Sequence, residues 1–124
     1  MEIRNNYQPN FKSVYITKNA HEILSNRLSS GEYVKLKDEF INKFKDSKLF
    51  VKLDALNQDS HRLDAIISYN IGNTNPKVDD YFDYLEESTF ASIFKSPAKF
   101  IQKIVNAYEK KAVPFLNNGC KKID

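Results

Sequence analysis

Tryptophan is absent from this chain of 124 residues, and cysteine and methionine occur once each. The lone cysteine, Cys120, rules out an intrachain disulfide, and there is no Cys-x-x-Cys pair. With no tryptophan and a single methionine, the core has to be built from Phe, Leu, Ile and Val, and the nine phenylalanines and seven tyrosines are read mainly as packing. Long apolar runs are missing too. The longest is a few residues around Ala65-Ile66-Ile67, far short of a membrane span. The opening MEIRNNYQPN lacks the apolar stretch that an export signal needs, so a cytoplasmic protein with no membrane segment is expected. A phosphate-binding loop, a dinucleotide fingerprint, HExxH and GxSxG are likewise absent, so no enzyme motif is legible.

What is present is ordinary globular composition: 41% hydrophobic and 28% charged residues, at a length usual for one domain. Such a chain buries roughly two-thirds of its unfolded surface and sustains one core without metal or disulfide. The net charge of +3 is unevenly spread. Residues 1–73 carry 11 basic and 9 acidic groups, residues 74–90 one lysine against five acids, and residues 91–124 seven lysines against two acids. The successive balances are +2, −4 and +5, which sum to +3. The chain is polarised along its length.

Residues 1–10 read as an irregular arm, with Asn5-Asn6 and Pro9. FKSVYIT (11–17) is a first strand, followed by a helix over 20–29 with Asn19 as N-cap and Glu22 completing a capping box. Gly31 suits the C-cap beyond Ser29-Ser30. A second helix over 32–46 turns Tyr33, Leu36, Phe40, Ile41 and Phe44 inward at three-to-four spacing. Residues 48–56 and 61–71 then alternate with period two, which predicts an antiparallel β-hairpin. Pairing Ala55 with His61 leaves Asn57-Gln58-Asp59 as the loop and sets Leu53 against Leu63, Asp54 against Arg62 and Lys52 against Asp64. The register with Ala55 opposite Leu63 sets Asp54 against Asp64 and is rejected for that reason. On this reading the cluster QDSHRLD is a turn with cross-strand ion pairs, and His61 lacks the third member and cavity of a catalytic triad.

After Gly72 and the loop containing Pro76, DDYFDYLEESTFASIF reads as a helix over 79–94, with Asp79, Asp80 and Asp83 at its positive end and Phe82, Leu85, Phe90, Ile93 and Phe94 inward. Ser96-Pro97 is a mechanistic helix start, and a last helix runs over 97–113, with Pro114 ending or kinking it near Val113. Residues 117–124 form a polar, frayed tail.

Three sets of side chains carry candidate chemistry. The acids Asp79, Asp80, Asp83, Glu86 and Glu87 lack the spacing of a calcium-binding loop, so no metal and no cofactor is assigned. Lys95, Lys99 and Lys103 recur every four residues, and Lys110 and Lys111 extend them into a basic helix face suited to nucleic acid or another polyanion. On the outer face of the hairpin, Phe50 and Ile66 form an apolar patch among Lys52, Asp54, Arg62 and Asp64.

NNYQPNFKS, then VYIT, a helix and RLDAIISY, resembles a group of small bacterial proteins that share an N-x-x-P-x-F-K opener and an LDA strand. The likeness covers roughly the first seventy residues. No activity is known for that group, so it implies a bacterial or bacteriophage origin and no site residues. The expectation is a single α+β domain over 1–124, with a sheet of about three strands packed by four helices. Functionally it reads as a non-enzymatic protein-interaction module, working through surface patches or as a homodimer. Polyanion binding through the last helix is the alternative, and a small enzyme without a recognisable motif is the third.

Overall fold

The computed structural model describes residues 13–56, 61–70 and 76–122. Among them the chain is α+β, running β1 (Val14–Ile16), α1 (Lys18–Arg27), α2 (Ser30–Phe44), β2 (Phe50–Ala55), β3 (Leu63–Tyr69), β4 (Tyr81–Glu86), α3 (Thr89–Phe94), α4 (Pro97–Ala107), a π-helical turn (Tyr108–Ala112) and α5 (Val113–Asn117). The sheet has the order β1-β2-β3-β4, with β1 parallel to β2 and the other neighbours antiparallel. Parallel neighbours need a long crossover, which α1 and α2 supply. No helix among the described residues is long and apolar enough to cross a membrane. The arm at 1–10, the first two residues of the expected strand and the predicted loop at 57–59 lie outside the described residues.

Both early helices begin two residues earlier than the sequence suggested. Thr17, not Asn19, caps α1: its hydroxyl accepts from the Ala20 N–H at 3.1 Å and donates to Asp54 Oδ1 at 2.6 Å. Ser29 and Glu32 form a reciprocal capping box, so Ser30 and Gly31 open α2 instead of closing α1. The apolar stripes fall as the periodicity predicts. Ala20, Ile23 and Leu24 of α1, Tyr33, Leu36, Phe40, Ile41 and Phe44 of α2, and Phe100, Ile101 and Ile104 of α4 pack on Val14, Ile16, Val51, Leu53, Leu63, Ala65, Ile67 and Leu85 of the sheet.

The hairpin is present, but its register corrects the prediction. Ala55 faces Leu63, Leu53 faces Ala65 and Asp54 faces Asp64, a slip of two residues from the expected pairing. Hydroxyl donors from outside the hairpin make the like-charged pair tolerable. Asp54 takes the Thr17 hydroxyl, and Asp64 Oδ2 takes the Tyr84 phenol at 2.7 Å. The Arg62 carbonyl accepts from the Leu56 N–H across the hairpin at 2.9 Å, while its side chain donates from Nε to the Glu87 carbonyl at 2.8 Å. Because the slip is even, every side chain keeps its face.

The predicted helix over 79–94 is instead a strand and a short helix. Tyr81–Glu86 pairs along β3, with Leu85 opposite Ala65, Tyr84 opposite Ile66 and Phe82 opposite Ser68. Ser88 then caps α3, its hydroxyl accepting from the Ala91 N–H at 3.0 Å. The free edge of β3 offers a full ladder of backbone partners to a segment rich in aromatics, and that outweighs the helical reading of its acids. The far end of β4 is tied down by Glu87. Its carboxylate is buried and takes both Arg27 Nη atoms, at 2.6 and 2.9 Å, and the Leu63 N–H at 3.2 Å. Arg27 also donates to the carbonyls of His61 and Lys95, each at 2.9 Å, so one guanidinium joins α1, the hairpin and α3.

Pro97 starts α4 as expected, behind the Ser96 cap. Pro114 does not stop the helical run. The π turn precedes it, with the Val113 N–H reaching the Tyr108 carbonyl, and this wider winding relieves the clash a proline makes with the carbonyl four residues back. After α5 the chain reverses at Gly119, whose φ of +70° suits glycine. The expected frayed tail is held through Lys122: the Asp79 N–H donates to the Cys120 carbonyl at 2.9 Å, and the Lys122 N–H to Asp79 Oδ2 at 2.7 Å.

Candidate functional site

Helices α1, α2 and α4 and the π turn contribute to the core on one face of the sheet, and the side chains of the other face point outward in three cross-strand rows. Phe50, Ser68 and Phe82 form the first, Lys52, Ile66 and Tyr84 the second, and Asp54, Asp64 and Glu86 the third. Tyr15 extends the second row through its pairing with Lys52. The rows lie about 7 Å apart, so neighbouring aromatics reach one another. The face thus grades from apolar at one end to acidic at the other. Phe50, Tyr84 and Phe82 are 38%, 44% and 59% exposed, high values for large aromatics held in a regular sheet.

Of the residues expected on this face, Phe50, Lys52, Asp54, Asp64 and Ile66 stand on it, and Arg62 sits at its acidic edge, 3.5 Å from Glu86. Phe82, Tyr84 and Glu86 are additions that the helix reading of 79–94 concealed. The alternation in YFDYLE was the signal for them. At the acidic end, partial burial pushes the Asp64 carboxyl up, with the Asp54 and Glu86 charges adding to the rise and the Tyr84 and Lys52 contacts opposing it. Desolvation, and then the Asp64 carboxylate it donates to, push the Tyr84 phenol well above its ordinary range. Tyr84 therefore meets a partner as a neutral donor near neutral pH.

A second apolar patch lies on α3. Phe90, Ile93 and Phe94, expected to be inward, are 60%, 61% and 71% exposed, and the two phenylalanine rings meet in a tilted contact with centroids 4.9 Å apart. A helix of six residues that buries only Ser92 has no second face to hide them.

The basic helix face is divided by the fold. Lys95 follows α3 with its ammonium 5.8 Å over the Phe90 ring, and Lys99 is exposed on α4. Lys103 donates to the Glu86 carbonyl at 3.3 Å, Lys111 lies 3.8 Å from Asp83, and Lys110 is on the π turn. The five lysines thus make two groups along the final helices. The acids of residues 79–87 are scattered: Asp79 holds the tail, Asp83 and Glu86 point to opposite sheet faces, and Glu87 is buried on Arg27. Among the described residues no group of three or more His, Cys, Asp or Glu side chains is placed to hold a metal ion. His61 is exposed, and His21 shares a hydrogen bond of 2.6 Å with the Tyr33 phenol. Neither a protein-family model, nor a curated protein, nor a solved structure matches the chain.

Proposed function

We propose that this chain is a non-enzymatic protein-interaction module that engages its partner across the open face of the sheet. The observation that supports this reading is the adjacency of Phe50, Ile66, Phe82 and Tyr84 on a face that no described helix covers. Phenylalanine and tyrosine supply large contact areas at low entropic cost, and aromatic anchors surrounded by polar residues are the usual make-up of an interface centre. A second copy of the chain is the simplest such partner. Sedimentation equilibrium over a concentration series, with wild type beside Phe82→Asp, tests it. A dimer that the substitution abolishes supports self-association. A monomer at every concentration directs the test to a photo-crosslinking residue at position 82 in the producing cells. No crosslink there, with an exposed control position such as Glu39 giving the same result, overturns the reading.

The competing reading, polyanion binding along the last helix, rests on α4 burying Phe100, Ile101 and Ile104 and so turning Lys99 and Lys103 to solvent. It predicts salt-sensitive binding to duplex DNA or single-stranded RNA in fluorescence anisotropy, lost in Lys99→Glu/Lys103→Glu. Equal affinity in the double variant removes it.

A further inference from the structure

β4 ends the sheet on one side, and no described strand lies beyond it. The phase of the β3 ladder decides which of its backbone groups are left over. One step past the Asp64–Glu86 pair, the Glu87 N–H donates to the Leu63 carbonyl at 2.8 Å. Positions that exchange hydrogen bonds across an antiparallel pair alternate with positions that do not. Tyr81, Asp83 and Leu85 therefore turn their N–H and C=O groups to β3, and Phe82, Tyr84 and Glu86 turn theirs outward. Lys103 Nζ takes the Glu86 carbonyl at 3.3 Å. The N–H and C=O groups of Phe82 and Tyr84 have no backbone partner among the described residues. Unpaired donors and acceptors in this geometry are a template for one more extended strand.

The space beside that edge is both roomy and charged. A cleft of about 620 Å³ runs between residues 80–83 and the π turn with Pro114, and the Gly119 reversal brings Lys122 to its rim. It leaves room on the helix side of the sheet for the side chains of an added strand. Lys110, Lys111 and Lys122 line the cleft, and Lys103 stands at the other end of the same edge. Asp80 and Asp83 are the acids of the lining. Lys111 offsets Asp83 from 3.8 Å, whereas Lys110 and Lys122 form no ion pair among the described residues. The edge therefore carries excess positive charge. A second copy of β4 suits it poorly, because pairing the two edges would bring their lysines together, and lysines on an edge are a common device against self-pairing. On the opposite face of the sheet, the exposed rings of Phe82 and Tyr84 border the same backbone.

We infer that the outer edge of β4 takes up an extended acidic peptide as a fifth strand of the sheet. The peptide backbone pairs with Phe82 and Tyr84. Side chains alternate between the two faces of a strand, so acids at every second position reach Lys110, Lys111 and Lys122. The apolar residues between them lie beside the Phe82 and Tyr84 rings. This surface is the edge of the sheet, and binding there requires no partner on the open face proposed above.

The test is an amide NMR titration of the full chain with a short capped peptide of alternating glutamate and valine, beside its lysine–valine counterpart. Saturable shifts centred on the amides of Phe82 and Tyr84, with slowed hydrogen exchange there and no response to the lysine peptide, support the proposal. Lys110→Glu/Lys122→Glu is expected to weaken the glutamate peptide about tenfold or more, with the fold intact because both side chains face solvent. The backbone ladder has its own control. Methylating every second peptide nitrogen of one set is expected to abolish binding, and methylating the other set to change it by less than about threefold. Equal effects of the two methylated sets, equal binding of the lysine peptide, unchanged affinity in the lysine variant, or no saturable shift at Phe82 and Tyr84 overturns it.

Discussion

Arg27 holds more of this molecule together than any other charged residue described here. Its guanidinium is paired bidentately with Glu87, and the side chains are only 9% and 2% exposed. Removing one partner of such a pair leaves the other charge buried, a loss of about 3–5 kcal/mol. Arg27→Ala is therefore expected to lower the urea midpoint sharply with little change in slope. Asp64 is the opposite case. Its carboxyl is raised in the folded state, so ionisation opposes folding: the stability it withholds is fully restored below its unfolded value of 3.8 and is lost as pH rises through the folded value. Asp64→Asn is expected to stabilise the protein at neutral pH by no more than about 1 kcal/mol, since the pair is partly solvent-screened. The gain should vanish near pH 3, and urea titrations at the two pH values would show it. His21 acts in the other direction. Burial and the Lys37 charge lower its pKa, so the stability linked to its neutral form is present above 6.5 and declines on acidification below it.

At the scale of elements, the helices follow local rules and the strands follow their neighbours. The capping box of Ser29 and Glu32 stands or falls on residues three apart, and Ser29→Ala is expected to cost about 1 kcal/mol in thermal or urea unfolding. The stripes of α1, α2 and α4 were legible because a helix face depends only on spacing. Residues 79–94 misled because helix and strand periods both fit YFDYLEESTF in part, and the acids that suit a helix start also suit a strand rim. Half of the aromatic face was therefore invisible from sequence. Phe50 and Ile66 were legible from the hairpin's alternation, but Phe82 and Tyr84 join them only once β4 is a strand.

For the molecule as a whole, core packing and exposure divide stability between regions. β2 and β3 lie between neighbours on both edges and carry much of the core, whereas α3 buries a single residue. Hydrogen exchange should find the slowest amides in β2 and β3 and near-unprotected amides in α3. Slow exchange in α3 at low protein concentration would contradict that ordering. The same exposure predicts that Phe90→Ser/Phe94→Ser leaves the unfolding midpoint within about 0.5 kcal/mol of wild type, because these rings contribute little to the folded core.

The sequence by itself determined which side of α1, α2, α4 and the hairpin is buried, where α4 begins, and that the chain is α+β. These outcomes depend on spacing and on side-chain chemistry within a few residues. Only the tertiary structure decided that 81–86 is a strand, that Asp54 faces Asp64, that the tail folds back to Asp79, and that a cleft opens beside the π turn. Each of those depends on a partner distant along the chain: the free edge of β3, the hydroxyls of Thr17 and Tyr84, and the backbone of Cys120. A strand edge or a carboxylate takes the donor that three-dimensional packing brings to it, and local pattern does not encode which donor that is.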